Sequence, residues 1–426
     1  MRKFFKRTRN TIHSLYLSIL VWMLTRVWTS PTFLAIVDWL SAYIPIKDRL
    51  TRFFDWINRY IEDNLMLCNK ERRIAFVVEA DNAIGYSLCK KLVKKNYHVI
   101  VGVRDVARGL SIKSKLQHVR QYASVSIVAI DMTNPINVLY AARQLVQQYA
   151  WLDVLYLNNS TIKIDHVNWD VLIDALLHCR LTYLCTTGRA YADGPNFVSV
   201  CGGGQTDLGF SADFCRLVLC PFILTMELKE LLKEADLPGR IVWTGSSTCN
   251  RRDFSFDDPQ HVKPADSFYA HKYFVHLLQP ALNEQLRNSG VQSFEGSPGL
   301  IITGTSPADL RRWTWLLFLV GLVIPTVQIH ASVGARTLLM IGTHRNQYGD
   351  LQPNHMYMMR RTARALRRCW YVEDVDIGES RRAMEWLLEI YKRLKRCDLL
   401  SDGVTQDVML FSNMNKVIRA HRSSIG

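Results

Sequence analysis

An α/β fold is expected for this chain: a doubly wound parallel sheet, preceded by N-terminal membrane-anchoring helices and followed by a C-terminal helical extension. Three observations predict it. From Arg73 onward, short apolar runs alternate with amphipathic segments at strand–helix spacing. Ahead of that region, the basic run "MRKFFKRTRN" leads into the long apolar stretch "TIHSLYLSILVWMLTRVW". Late in the chain, apolar residues recur at helical spacing over 380–396.

The elements follow in order. "RIAFVV" reads as a buried strand and "AIGYSLCKKLVKK" as the helix after it. "HVIVGVR", "VSIVAIDM" and "LDVLYLNN" are the next three strands, with "AARQLVQQYA" helical between the last two. An insertion over 160–208 separates the fourth strand from a helix ending in "TMELKELLKEA". The strand "RIVWTGSS", a helix from Phe268 to Arg287 and the strand "VQSFEGSPG" complete the core. The expected organisation is an anchor with amphipathic helices over 1–70 and the α/β domain over 71–310. An apolar capping segment with C-terminal helices over 311–400 and a tail over 401–426 follow. Sheets of this kind bind ligands beyond the carboxyl ends of their strands.

Composition narrows the partners. The 426 residues carry a formal charge of +15, and a hydrophobic fraction of 48% argues for a packed chain rather than a disordered one. The basic clusters lie beside apolar segments and accompany no nucleic-acid-binding signature, so anionic lipid is the expected partner and nucleic acid is not. Ten scattered cysteines without a C-x-x-C pair point to neither a metal site nor a disulfide framework. Three readings of the N-terminus compete. A signal anchor suits the basic flank, the apolar run and the amphipathic 49–65 that follows. A cleaved signal peptide lacks a clean small-x-small site, and a mitochondrial presequence remains the alternative, since no acid precedes Asp38. "WTWLLFLVGLVIPTVQI" at 313–329 is short for a span and broken by Pro325, which suits a segment that dips into a bilayer or caps an apolar pocket.

The order "IDMTNP", "LDVLYLNN", "IVWTGSS", "FYAHKY", "GSPGLIITGT" resembles the short-chain dehydrogenase/reductase superfamily, which has a Rossmann-like fold. Within it, "FSFDDPQHVKP", "KYFVHLLQPALN" and "EDVDIGESRRAMEWLLEIYKRLKR" are similar to the 3-keto-steroid reductase branch, and the likeness covers about residues 72–397. The resemblance implies NADPH as cofactor. It would be contacted by Gly85 in the phosphate turn, Arg104 at the 2′-phosphate, Asp131 at adenine and Asn158 at the fourth strand end. Lys272 at the ribose and Pro298, Gly299 and Thr303 in the "PGLIITGT" turn complete that set. It also implies a catalytic serine, Ser246, with Ser247 and Thr248 as substitutes, and a tyrosine four residues ahead of Lys272. That position holds Phe268, and Tyr269 stands one residue later, about 100° round the helix. Val78, Glu79 and Ala83 stand at family Thr and Gly positions in "VEADNAIG", and Leu217 at a family asparagine.

Two functions follow. In one, the chain is a membrane-associated homologue of sterol reductases with impaired or no catalysis, kept for binding a sterol-like lipid or for scaffolding. In the other it is an active NADPH-dependent 3-keto-steroid or 17β-hydroxysteroid oxidoreductase using Ser246, Tyr269 and Lys272. The first is preferred, because removing a positioned general acid costs about 10²–10⁴-fold in rate. The resemblance further implies the endoplasmic reticulum membrane with the domain on the cytosolic side. It also implies a homodimer, or a complex with other lipid-metabolising membrane enzymes.

Overall fold

The computed structural model describes residues 72–120, 122–159, 164–178, 180, 198–200, 204–261, 267–299, 301, 330–343, 351–359, 366–369 and 375–400. The expected anchor, the apolar segment 313–329, Thr303 and the tail lie outside these residues. Among the described residues no helix is long and apolar enough to cross a membrane. The chain divides between Arg72 and Arg73, and the fold is that of the second unit.

Strand β1 (Ile74–Val77) is buried along its whole length, as befits a central parallel strand covered on both faces. Helix α1 (Ala83–Lys94) follows, capped by the Asn82 side chain. Strand β2 (His98–Val103) leads to α2 (Val106–Val119), capped by Asp105. Strand β3 (Val125–Ala129) leads to α3 (Pro135–Gln148), where Asn134 caps and Pro135 opens the first turn. Each cap satisfies amide groups that a helix start leaves without partners. Strand β4 (Val154–Leu157) ends the first half.

Within the insertion, β5 (Ile164–Val167) pairs antiparallel with β6 (Val198–Val200), and α4 (Trp169–Leu177) lies between them in sequence. The next helix begins as Ala212–Phe214, widens into a π-turn at Cys215–Leu219 and continues as α5 (Cys220–Lys233). Strand β7 (Arg240–Thr244), helix α6 (Ser267–Leu286) and strand β8 (Gln292–Gly296) follow. The sheet continues past residue 310: α7 (Ala331–Thr343) precedes β9 (Met356–Met359) and β10 (Leu366–Arg368). The last helix is α8 (Ile377–Leu400).

The main sheet has eight strands in the order β10-β9-β8-β7-β4-β1-β2-β3. Seven run parallel and β10 pairs antiparallel with β9. One apolar layer packs α1, α2 and α7 on one face; the other packs α3, α5, α6 and α8 on the opposite face. Helix α8 docks on the core: Ala383, Met384, Leu387, Ile390 and Leu394 are buried. Tyr391 and Lys395 both reach Glu227 of α5. From β1 the chain steps outward through β2 and β3, then returns to β4 on the other side of β1. That reversal opens a crevice at the carboxyl ends of β1 and β4, where such folds seat ligands.

Candidate cofactor cradle and catalytic helix

The turn between β1 and α1 is held together by its own side chains. Asn82 accepts from the Gly85 amide at 2.7 Å. Asn158, at the end of β4, donates to the Asn82 side chain at 3.0 Å and to the Glu79 carbonyl at 3.2 Å. Gly85 is required by packing: a Cβ there would lie 2.6 Å from the Glu79 carbonyl and 2.7 Å from both Ala80 Cα and Asn158 Nδ2. Glu79 has φ 48, a left-handed conformation that suits glycine better than a side chain. Its carboxylate lies 3.9 Å from Arg216, which in turn lies 3.9 Å from Asp213.

At the end of β2, Arg104 pairs with Asp131 at 3.0 Å, and the arginine side chain is 77% exposed. The same carboxyl group accepts from the Thr133 amide and hydroxyl. Two residues expected to meet different parts of one nucleotide therefore meet each other. An exposed pair of this sort contributes about 0–1 kcal/mol and yields readily to a ligand.

On α6, Lys272 is buried, and its ammonium donates to the Asn159 carbonyl at 2.8 Å and the Thr244 carbonyl at 2.5 Å. Burial, helped by the nearby Arg216 charge, brings its pKa down to about 7. Phe268 lies one turn earlier, its ring centre 5.6 Å from the ammonium. The ring thus offers its π face where the resemblance places a phenol. Tyr269 is buried, edge-on to Phe268 at 5.5 Å. Ser246 shares a hydrogen bond with Thr248 at 2.8 Å, while the Ser247 amide donates to Ser297 at 3.3 Å. Gly299 has φ 76 and its amide also donates to Ser297. Pro298 is buried against the start of α7, close to Gly334.

Several residues of the site carry no motif. The Asn159 side chain donates to the Arg216 carbonyl in the π-turn, so the turn is tied to the strand end that holds Lys272. Leu217 is buried beside it. His276 meets Glu295 at 2.6 Å, both buried, and a side chain at Gly245 would strike the other oxygen of Glu295. Phe268, Lys272 and His276 recur every four residues, a signal readable in advance. Arg216 gave no such signal: in sequence it is one polar residue in an apolar helix.

The family model for short chain dehydrogenase matches residues 73–188. The chain is 28% identical over 255 residues to the human 3-keto-steroid reductase/17-beta-hydroxysteroid dehydrogenase 7, covering 59% of this chain and 73% of the relative. It is 25% identical over 335 residues to the Rattus norvegicus protein of the same name, covering 76% and 97%. Over residues 73–188 it is similar to the short-chain dehydrogenases. Among solved structures, an NADPH-dependent reductase of bacilysin biosynthesis, YwfH, aligns at 16% identity with a TM-score of 0.46, covering 68% of this chain and 99% of that one.

The structure brings Gly85 and Asn158 together at the cradle, Arg104 and Asp131 beyond it, and Lys272 at the strand ends. The diphosphate does not fit the cradle as it stands, because Glu79 places a carboxylate beside the turn and the Asn82 side chain already holds the Gly85 amide. Like charges at close range in a half-buried site repel by several kcal/mol.

Proposed function

We propose that this chain is a membrane-associated, sterol-related short-chain dehydrogenase/reductase homologue that binds a sterol-like lipid, or scaffolds other lipid-metabolising membrane enzymes, with turnover strongly impaired. The observation that carries the reading is the ring of Phe268 beside the ammonium of Lys272. The lysine has no phenol to activate at that position, and two backbone carbonyls hold its charge instead. A group so placed anchors α6 to the ends of β4 and β7.

Sterol-like ligand chemistry is supported by the names of the relatives and by the apolar segment 313–329. NADPH is the cofactor class the superfamily implies, bound weakly. Membrane association rests on the basic and apolar N-terminal runs. The endoplasmic reticulum is the proposed site, with the mitochondrion as the alternative, and a homodimer is a further proposal from the superfamily.

The test is reduction of a 3-ketosteroid by full-length protein in detergent, with the rat relative as reference, beside binding of the same steroid. The expected result is saturable binding with turnover at least about 100-fold below the reference, and a rise in turnover when F268Y is combined with E79G. Turnover equal to the reference would sink the proposal. A second reading, an active 3-keto-steroid or 17β-hydroxysteroid oxidoreductase, is favoured by the retained Ser246 and Thr248 hydroxyls and the low pKa of Lys272. In that reading Tyr269 supplies the proton, and Y269F abolishes the activity.

A further inference from the structure

Arg216 joins the two halves of the site. Its guanidinium lies 3.9 Å from the Glu79 carboxylate in the cradle, and its carbonyl accepts from Asn159, whose own carbonyl holds Lys272. The π-turn Cys215–Leu219 puts it there. Such a turn inserts an extra residue and re-aims the side chains around it. Glu79 and Arg216 are each about one-fifth exposed, 18% and 19%, so the pair is shielded yet within reach of a ligand. Glu79 keeps a left-handed backbone, with φ 48, at a position where glycine would be unstrained.

We propose that the Glu79–Arg216 ion pair decides whether a nicotinamide dinucleotide can bind: closed, it excludes the diphosphate, and with the Glu79 charge removed, Arg216 becomes the diphosphate's partner. Guanidinium groups pair with phosphate as readily as with carboxylate, in the same forked geometry. The carboxylate therefore competes with the ligand for one cation and repels the ligand as well. Asp213, on the other side of Arg216, keeps that cation in place when Glu79 is neutralised. The proposal rests on the preceding reading for its ligand class alone; turnover plays no part in it.

The experiment is calorimetric titration of full-length protein with NADPH, and with 2′-AMP, which has no diphosphate, at fixed ionic strength. E79Q is expected to bind NADPH at least about tenfold more tightly than wild type, while 2′-AMP binds both within about twofold. The double variant E79Q/R216Q is expected to fall back to the wild-type affinity. Equal NADPH affinity in wild type and E79Q, an equal gain for 2′-AMP, or an E79Q gain that survives loss of Arg216 each overturns the proposal. Should E79Q fail to fold, wild type still carries the test: NADPH binding no tighter than 2′-AMP supports the proposal, and binding more than about tenfold tighter overturns it. Tight NADPH binding by wild type would leave the missing phenol untouched. Ketosteroid turnover by wild type would defeat both readings, since reduction needs bound NADPH, whereas tight NADPH binding without turnover would defeat the ion-pair proposal alone.

Discussion

Lys272 shows how a side chain can survive a change of company. With its charge on two carbonyls and a ring face, the residue is held by packing that does not depend on a phenol. Its pKa near 7, against 10.5 when exposed, has a thermodynamic consequence. Between those values the unfolded chain binds more protons than the folded one, so the contribution of Lys272 to stability rises with pH across that window. Below about pH 7 both states hold the proton and the burial penalty is complete. The stability of wild type relative to K272M should therefore increase from pH 7 toward pH 10, by roughly 3–4 kcal/mol over the whole window. Urea unfolding of both proteins at several pH values measures this; a flat difference would mean the lysine is not desolvated. Gly85 is another residue whose identity the packing dictates, since any Cβ would push α1 away from the end of β4.

Among the elements, α6 carries the site and also an interruption. Pro280 lies inside it and has no amide hydrogen to give. The amide of Ala281, next in line, donates to Ser380 of α8 at 3.0 Å, and both groups are buried. S380A leaves that amide without its partner and should cost about 1–3 kcal/mol, read as a lower urea midpoint. The main strands were legible in sequence because parallel strands covered on both faces are apolar runs. Alternation located β1, β2, β3, β4, β7 and β8 to within a few residues. Strands β9 and β10 escaped, because "MYMM" and "LRR" are too short to display a period of their own. The π-turn escaped too: its sequence, "CRLVL", reads as ordinary helix.

At the scale of the whole molecule, α8 closes the face that holds α6. Its four large buried side chains, Met384, Leu387, Ile390 and Leu394, bring about 1.5–3 kcal/mol each on burial, or roughly 6–12 kcal/mol together before entropy is counted. Net stabilities of domains are about 5–15 kcal/mol, so the remainder cannot spare this helix. A chain ending at Asp376 should therefore lose its cooperative unfolding transition and bind a hydrophobic dye, checked by fluorescence and sedimentation. A truncated chain that unfolds cooperatively and stays monomeric would show that α8 only decorates the core. The contacts of Tyr391 and Lys395 with Glu227 direct the docking more than they strengthen it.

Taken alone, the order of residues determined the doubly wound sheet, the helical register that sets Phe268 four places ahead of Lys272, and the acidic residue in the phosphate turn. Those are local facts of period and spacing, and a linear chain displays them. Only the tertiary structure decided where the charges go: Arg104 onto Asp131, Lys272 onto two carbonyls, and Arg216 across to Glu79. Such partners come from segments far apart in sequence, and the crossover from β3 back to β4 is what brings them to one crevice.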